Sequence, residues 1–148
     1  MYDLIFRNAD IYDGLGSDPY VGDIAINGCY ISHIESSISG KSLKQIDATG
    51  LAICPGFIDI HSHSDYYLLI NPSAEAKIKQ GITTEVGGNC GYSAAPIGGI
   101  EFQTRKSLYK EQFDLELSFR SLGEYLQRIE DQGIAVNYAH LIGHNTIR

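Results

Sequence analysis

Pro55-Gly56-Phe57-Ile58-Asp59-Ile60-His61-Ser62-His63-Ser64-Asp65 is the stretch on which the fold turns. It opens on a Pro-Gly break, runs through a compact apolar segment at 56–60, and delivers two histidines where that segment ends. A short unbroken apolar run bounded by turn residues is what a parallel strand buried on both faces requires. Residues i and i+2 of a strand share a face, so His61 and His63 project the same way. In parallel α/β folds the C-terminal strand ends are where functional side chains gather. Two imidazoles held side by side there can bind one divalent metal ion. The competing reading is two surface histidines sharing a strand by chance, and the apolar strand leading into them weighs against it.

Downstream, Pro72-Ser73-Ala74-Glu75-Ala76-Lys77-Ile78-Lys79-Gln80 offers a Ser cap and good helix formers, with Gly81 to stop it. Ile82-Thr83-Thr84-Glu85-Val86 is β-branched and reads as a second strand, running into the loop Gly87-Gly88-Asn89-Cys90-Gly91. The segment from about 97 to 118 is polar and reads as irregular. Residues 121–131 place apolar side chains at 122, 125, 126 and 129, one face of a helix. Residues 134–139 form a third strand, ending at Leu141-Ile142-Gly143-His144. Strand alternating with helix implies right-handed βαβ units and a parallel sheet.

Upstream of Pro55 the pattern differs. Residues 3–12 suit a strand, 13–19 a loop, and Asp23-Ile24-Ala25-Ile26 alternates into the hairpin signal Asn27-Gly28, from which 29–34 returns. Lys44-Gln45-Ile46-Asp47 is a further short strand. The expectation is a small antiparallel β module over 1–54, followed over 55–148 by three β/α units. A closed (β/α)₈ barrel takes on the order of 250 residues, so the expected architecture is α/β with a partial barrel, and the chain is expected to be a fragment.

Composition excludes several classes. The 148 residues are 43% hydrophobic and 20% charged, ordinary for a globular chain, with a net charge of −7 and scattered basic residues. Nucleic acid and anionic membrane are not expected as partners. No apolar run reaches the roughly 18 residues needed to span a bilayer, and the start lacks a secretory pattern, so a cytoplasmic location is expected. Three widely spaced cysteines, Cys29, Cys54 and Cys90, do not form a disulfide framework.

Cys90 follows the second strand in a glycine-rich turn, where its thiol could approach the histidine pair and ligate a cation as thiolate. A buried structural cysteine is the equal alternative; Cys29 and Cys54 fall to that reading. His144 is a candidate substrate contact or support for a ligand, or a hydrogen-bonded loop histidine. His33 and His140 read as structural. Asp59, Asp65 and Glu85 could each orient a ligand imidazole, and spacing singles out none.

With these residues in place, the chain resembles the amidohydrolase superfamily. Ile46-Asp47-Ala48-Thr49-Gly50-Leu51 followed by Pro55 through His63 looks like that superfamily's entry into its (β/α)₈ TIM-type barrel, and the preceding module looks like half of its accessory β-sandwich. Gly81 through Ser93, with Leu141 through Arg148, is similar to the branch of N-acyl-D-amino-acid deacylases, or D-aminoacylases. The resemblance implies that His61 and His63 serve the weaker metal site and that Cys90 ligates the tightly bound zinc. It implies hydrolysis of N-acyl-D-amino acids, with further histidine ligands, a basic residue and a general-base aspartate on later strands. Two alternatives stand beside it. One is an amidohydrolase acting on cyclic amides, and the other is a non-catalytic chain that needs a partner polypeptide or self-associates through the open barrel edge.

Overall fold

The computed structural model describes residues 1–148, which divide into two compact units, Met1–Pro55 and Gly56–Arg148. The first is built on β1 (Tyr2–Ile11), β2 (Tyr20–Asn27), β3 (Tyr30–Glu35), β4 (Ser42–Asp47) and the short β5 (Ala52–Ile53). The sheet order is β3-β2-β1-β4, with β5 also on β1. Pairing of β1 with β2 and of β2 with β3 is antiparallel, whereas β4 and β5 run parallel to β1. The sheet is therefore mixed, which corrects the antiparallel expectation.

The reason lies in residues 36–41, which carry the chain from one edge of the sheet to the other instead of turning back in a hairpin. Ile38 on this crossover is buried with Ile5 and Ala25. Asp23 holds it: the Ile38 N–H donates to Asp23 Oδ2 at 3.0 Å, the Asn8 N–H to Oδ1 at 3.0 Å, and Arg7 Nη1 reaches Oδ2 at 2.6 Å. Arg7 Nη1 also donates to the Ile38 carbonyl at 2.6 Å. Asn8 adopts φ +57° where the β1–β2 register slips between Phe6 and Ala9, a bulge that aims its N–H at Asp23.

The second unit has a three-stranded parallel sheet, β6 (Phe57–Asp59), β7 (Ile82–Gly87) and β8 (Asn137–His140), in the order β6-β7-β8. Its helices are α1 (Tyr67–Ile70), α2 (Glu75–Ile78), α3 (Gly99–Phe113), α4 (Leu122–Gln132) and α5 (His144–Ile147). The core gathers Tyr66, Leu68, Phe102, Leu117, Phe119 and Tyr125 with their neighbours. Gly56 is required where β6 starts, since a Cβ there would lie 2.1 Å from Thr83 Oγ1.

α4 forms as its sequence indicates. Ser121 accepts the Glu124 N–H at 3.3 Å while Glu124 accepts the Ser121 N–H at 2.8 Å, a reciprocal cap, and Tyr125 and Ile129 face inward. Elsewhere the structure departs from expectation. The helix expected over 72–80 shrinks to α2, because Ala74 sits at φ +43° and Ser73 bonds Asn71 Oδ1 rather than capping. The segment expected to be irregular contains α3, a 15-residue helix. The third strand spans Asn137–His140, so His140 stands at its C-terminal end, and His144 begins α5 instead of ending a strand. The β6 strand is apolar, but Phe57, Ile58 and Ile60 are 57%, 61% and 73% exposed rather than buried. Within this unit no strand pairs with the outer edge of β6 or of β8.

Candidate metal centre

Beyond Asp59 the chain bends at Ile60 and His61 and then runs beside β7, with the Ser62 N–H donating to the Val86 carbonyl at 3.1 Å. Ser62 turns inward, its hydroxyl donating to Glu85 Oε2 at 3.0 Å, while His61 and His63 turn out to the strand ends with ring centroids 5.4 Å apart.

Cys90 comes to them from the loop after β7. Its backbone lies at φ +56°, between Gly88 at +77° and Gly91 at +79°. A left-handed cysteine costs roughly 1–2 kcal/mol over a glycine, a cost the surrounding contacts must sustain. Asn89 Nδ2 donates to the carbonyls of Val86 at 2.7 Å and Ser62 at 3.2 Å, and the Gly88 N–H donates to Asp65 Oδ1 at 2.9 Å. From the other side, the Leu141 N–H donates to the Gly87 carbonyl at 3.0 Å and the Asn145 N–H to the Gly91 carbonyl at 2.8 Å. A Cβ on Gly88 would fall 1.8 Å from the Leu141 carbonyl oxygen, so the two loops touch backbone to backbone.

The outcome is a cluster. Donor atoms of His61, His63 and Cys90 all lie within 4.8 Å of one another, and His61 Nε2 is 3.1 Å from Cys90 Sγ. Ligand atoms around tetrahedral zinc, at ~2.0 Å for nitrogen and ~2.3 Å for sulfur, stand about 3.3–3.6 Å apart. Two imidazoles and a thiol at this spacing fit a zinc ion with small side-chain adjustment. All three residues are exposed, which leaves room for further ligands.

His144 is not part of this cluster; it is exposed at the head of α5. The three carboxylates that could have oriented the imidazoles do other work. Asp59 accepts Lys77 Nζ at 2.5 Å and the His61 N–H at 3.1 Å, and the Lys77 ammonium, then the backbone N–H, hold its carboxyl below the usual range. Glu85, fully buried, accepts Ser62 and Ser64 hydroxyls, with Lys77 3.7 Å away. Asp65 ties the loop of His61 and His63 to the loop of Cys90. Behind it lie Tyr125, whose hydroxyl donates to the Asp65 carbonyl at 2.8 Å, and His140, whose Nδ1 is 3.4 Å from Asp65 Oδ1 and 2.9 Å from the Tyr138 hydroxyl. Burial lowers the His140 pKa against the opposing pull of Asp65. His140, which the sequence reads as structural, stands at the C-terminal end of β8 against Asp65.

Residues 44–148 match the profile of the amidohydrolase family. The chain belongs to that family. Among curated amidohydrolases it is 38% identical over 148 residues to an N-acyl-D-aspartate deacylase of Alcaligenes xylosoxydans xylosoxydans, covering 99% of this chain and 29% of that protein. A D-aminoacylase of the same organism is 33% identical, with 99% and 30% covered. The crystal structure of a D-aminoacylase superposes with a TM-score of 0.84 at 32% identity over 99% of this chain and 31% of that one. An N-acyl-D-glutamate deacylase from Bordetella bronchiseptica, complexed with zinc and a phosphonate inhibitor, gives 0.82 at 30% identity, with 99% and 30% covered. An L-hydantoinase from Arthrobacter aurescens, at 0.54 and 19% identity over 93% of this chain and 32% of that one, shares the fold alone. The chain thus spans less than a third of the length of these relatives.

Proposed function

We propose that His61, His63 and Cys90 are this chain's share of the zinc centre of an N-acyl-D-amino-acid deacylase. The observation that carries the reading is the convergence of a thiol and two imidazoles from segments 29 residues apart. A cyclic amidase has no evident use for a thiol here, and the hydantoinase likeness is one of fold. The likeness to deacylases, by contrast, runs through the Cys90 loop and the 141–148 segment that clamps it.

The reaction is addition of water across the amide bond of an N-acyl-D-amino acid, giving a carboxylate and a free D-amino acid. When bound, zinc supplies Lewis-acid polarisation of the amide carbonyl and acidifies water to a pKa near ~7. This chain's residues hold that centre: Cys90 as thiolate, its proton released on ligation, and His61 and His63 as neutral imidazoles. His144, exposed at the head of α5, is assigned to substrate contact or to support of a ligand. The general base and remaining ligands are assigned to later strands of a full-length polypeptide. In this reading Gly56–Arg148 is the first three β/α units of a (β/α)₈ barrel, and Met1–Pro55 is half of a β-sandwich. Three free thiols suit the reducing cytoplasm.

The test is metal content. In a polypeptide carrying this sequence at the length of its relatives, Cys90→Ala is expected to remove tightly bound zinc, measured by atomic emission after dialysis against chelator. Zinc retained at the wild-type level would defeat the assignment.

A further inference from the structure

We propose that Arg105 forms an anion subsite beside the metal cluster that takes the side-chain carboxylate of an acidic N-acyl-D-amino acid. The proposal rests on the deacylase reading and narrows its substrate class. A cavity of about 150 Å³ opens between His63 and α3, walled by Tyr66, Tyr92 and Tyr109, with Arg105 its one guanidinium. It therefore adjoins a residue of the cluster itself.

Size decides what part of a substrate fits. At roughly 30 Å³ for each water-sized group, the cavity holds about five non-hydrogen atoms. That accommodates a carboxymethyl or carboxyethyl side chain.

Chemistry decides its polarity. Nε of Arg105 donates to Glu101 at 2.7 Å, an i,i+4 pair in which Glu101 is half exposed. Beyond Glu101 the guanidinium also engages the Tyr109 hydroxyl, and its Nη groups supply the fork that grips a carboxylate through two parallel bonds. The guanidinium carbon sits 5.9 Å from the centre of the Tyr66 ring, within reach of a cation–π contact. Burial pushes the Tyr66 phenol up to about 12, and raises Tyr109 as well, so both walls stay neutral and do not repel an anion. Asp65 also lines the cavity, but its Oδ1 is committed to the Gly88 N–H and faces His140. Arg105 is reachable, because it also borders a larger open cleft of about 760 Å³. In a chain of net charge −7, a local cation is what an anionic side chain would need.

The experiment compares isosteres. For the full-length polypeptide, kcat/KM is measured with N-acetyl-D-glutamate and N-acetyl-D-glutamine, which differ in charge and hardly in shape. The acid-to-amide ratio is expected to exceed about 100 in wild type and to fall below about 5 in Arg105→Met, with Arg105→Lys between. Each ratio is internal to one preparation, so partial misfolding of a variant does not alter it. A wild-type ratio near one, or a ratio that survives Arg105→Met, overturns the subsite and leaves the deacylase reading intact. Hydrolysis of neither compound, nor of N-acetyl-D-aspartate and N-acetyl-D-leucine, overturns the deacylase reading and the subsite with it.

Discussion

Asp65 stands two residues after His63, yet its carboxylate accepts the N–H of Gly88, two residues before Cys90. One buried side chain thereby sets the spacing between the histidine loop and the Cys90 loop without touching any of the three clustered donor atoms itself. Residues that orient ligands typically contribute 10- to 100-fold in metal affinity. Asp65→Ala in the full-length polypeptide should weaken zinc binding by about that factor in a chelator competition. It should also displace the thiolate-to-metal band of the cobalt-substituted protein. Asp65→Asn keeps an acceptor for Gly88 and should fall between the two. An unmoved cobalt spectrum in the Ala variant would reduce Asp65 to a stabilising core residue.

At the scale of elements, the crossover between β3 and β4 depends on Asp23. Burial alone would push its carboxyl upward, but the Ile38 and Asn8 N–H groups and the Arg7 guanidinium outweigh it and hold the pKa below the usual range. A depressed carboxylate pKa contributes stability that is present above the unfolded value near ~3.9 and lost as pH falls through the folded value. Asp23→Asn should therefore cost about 1–3 kcal/mol at pH 7, and the difference from wild type should narrow below pH ~4. Urea unfolding at both pH values checks this, and an equal difference at the two would refute it. The helices teach the complementary lesson. α4 was legible because its apolar residues recur on one face, and two of them, Tyr125 and Ile129, face inward. α3 was not, because its apolar residues form no stripe and only Phe102 is buried. Its last turns are held instead by stacking of Tyr109 on Tyr66, with ring centroids 4.3 Å apart, and by Phe113 against Tyr67 at 5.8 Å.

For the molecule as a whole, the decisive feature is the open parallel sheet. Phe57, Ile58 and Ile60 on and beyond β6, with Leu141 and Ile142 after β8, expose apolar surface that a closed barrel would cover. Open strand edges add unpaired backbone groups. Residues 1–148 produced alone should therefore self-associate, with sedimentation velocity showing species larger than 16.3 kDa. A monodisperse monomer across a concentration series would count against it. No helix is long and apolar enough to cross a membrane.

The sequence by itself determined the parallel strand–helix alternation of the second unit, the presence of α4, and the arrival of His61 and His63 just past the end of β6. The first two follow from side-chain periodicity within a few residues, where local sterics dominate, and the third from the length of the apolar run that precedes the pair. Tertiary structure alone decided the parallel placement of β4, the existence of α3, the meeting of Cys90 with the histidines, and the bridge from Asp65 to Gly88. Those depend on residues 16 to 46 positions apart, from Arg7 with Asp23 to Tyr67 with Phe113. No local pattern encodes which of many distant partners a side chain will find; that is settled only when burial brings them together.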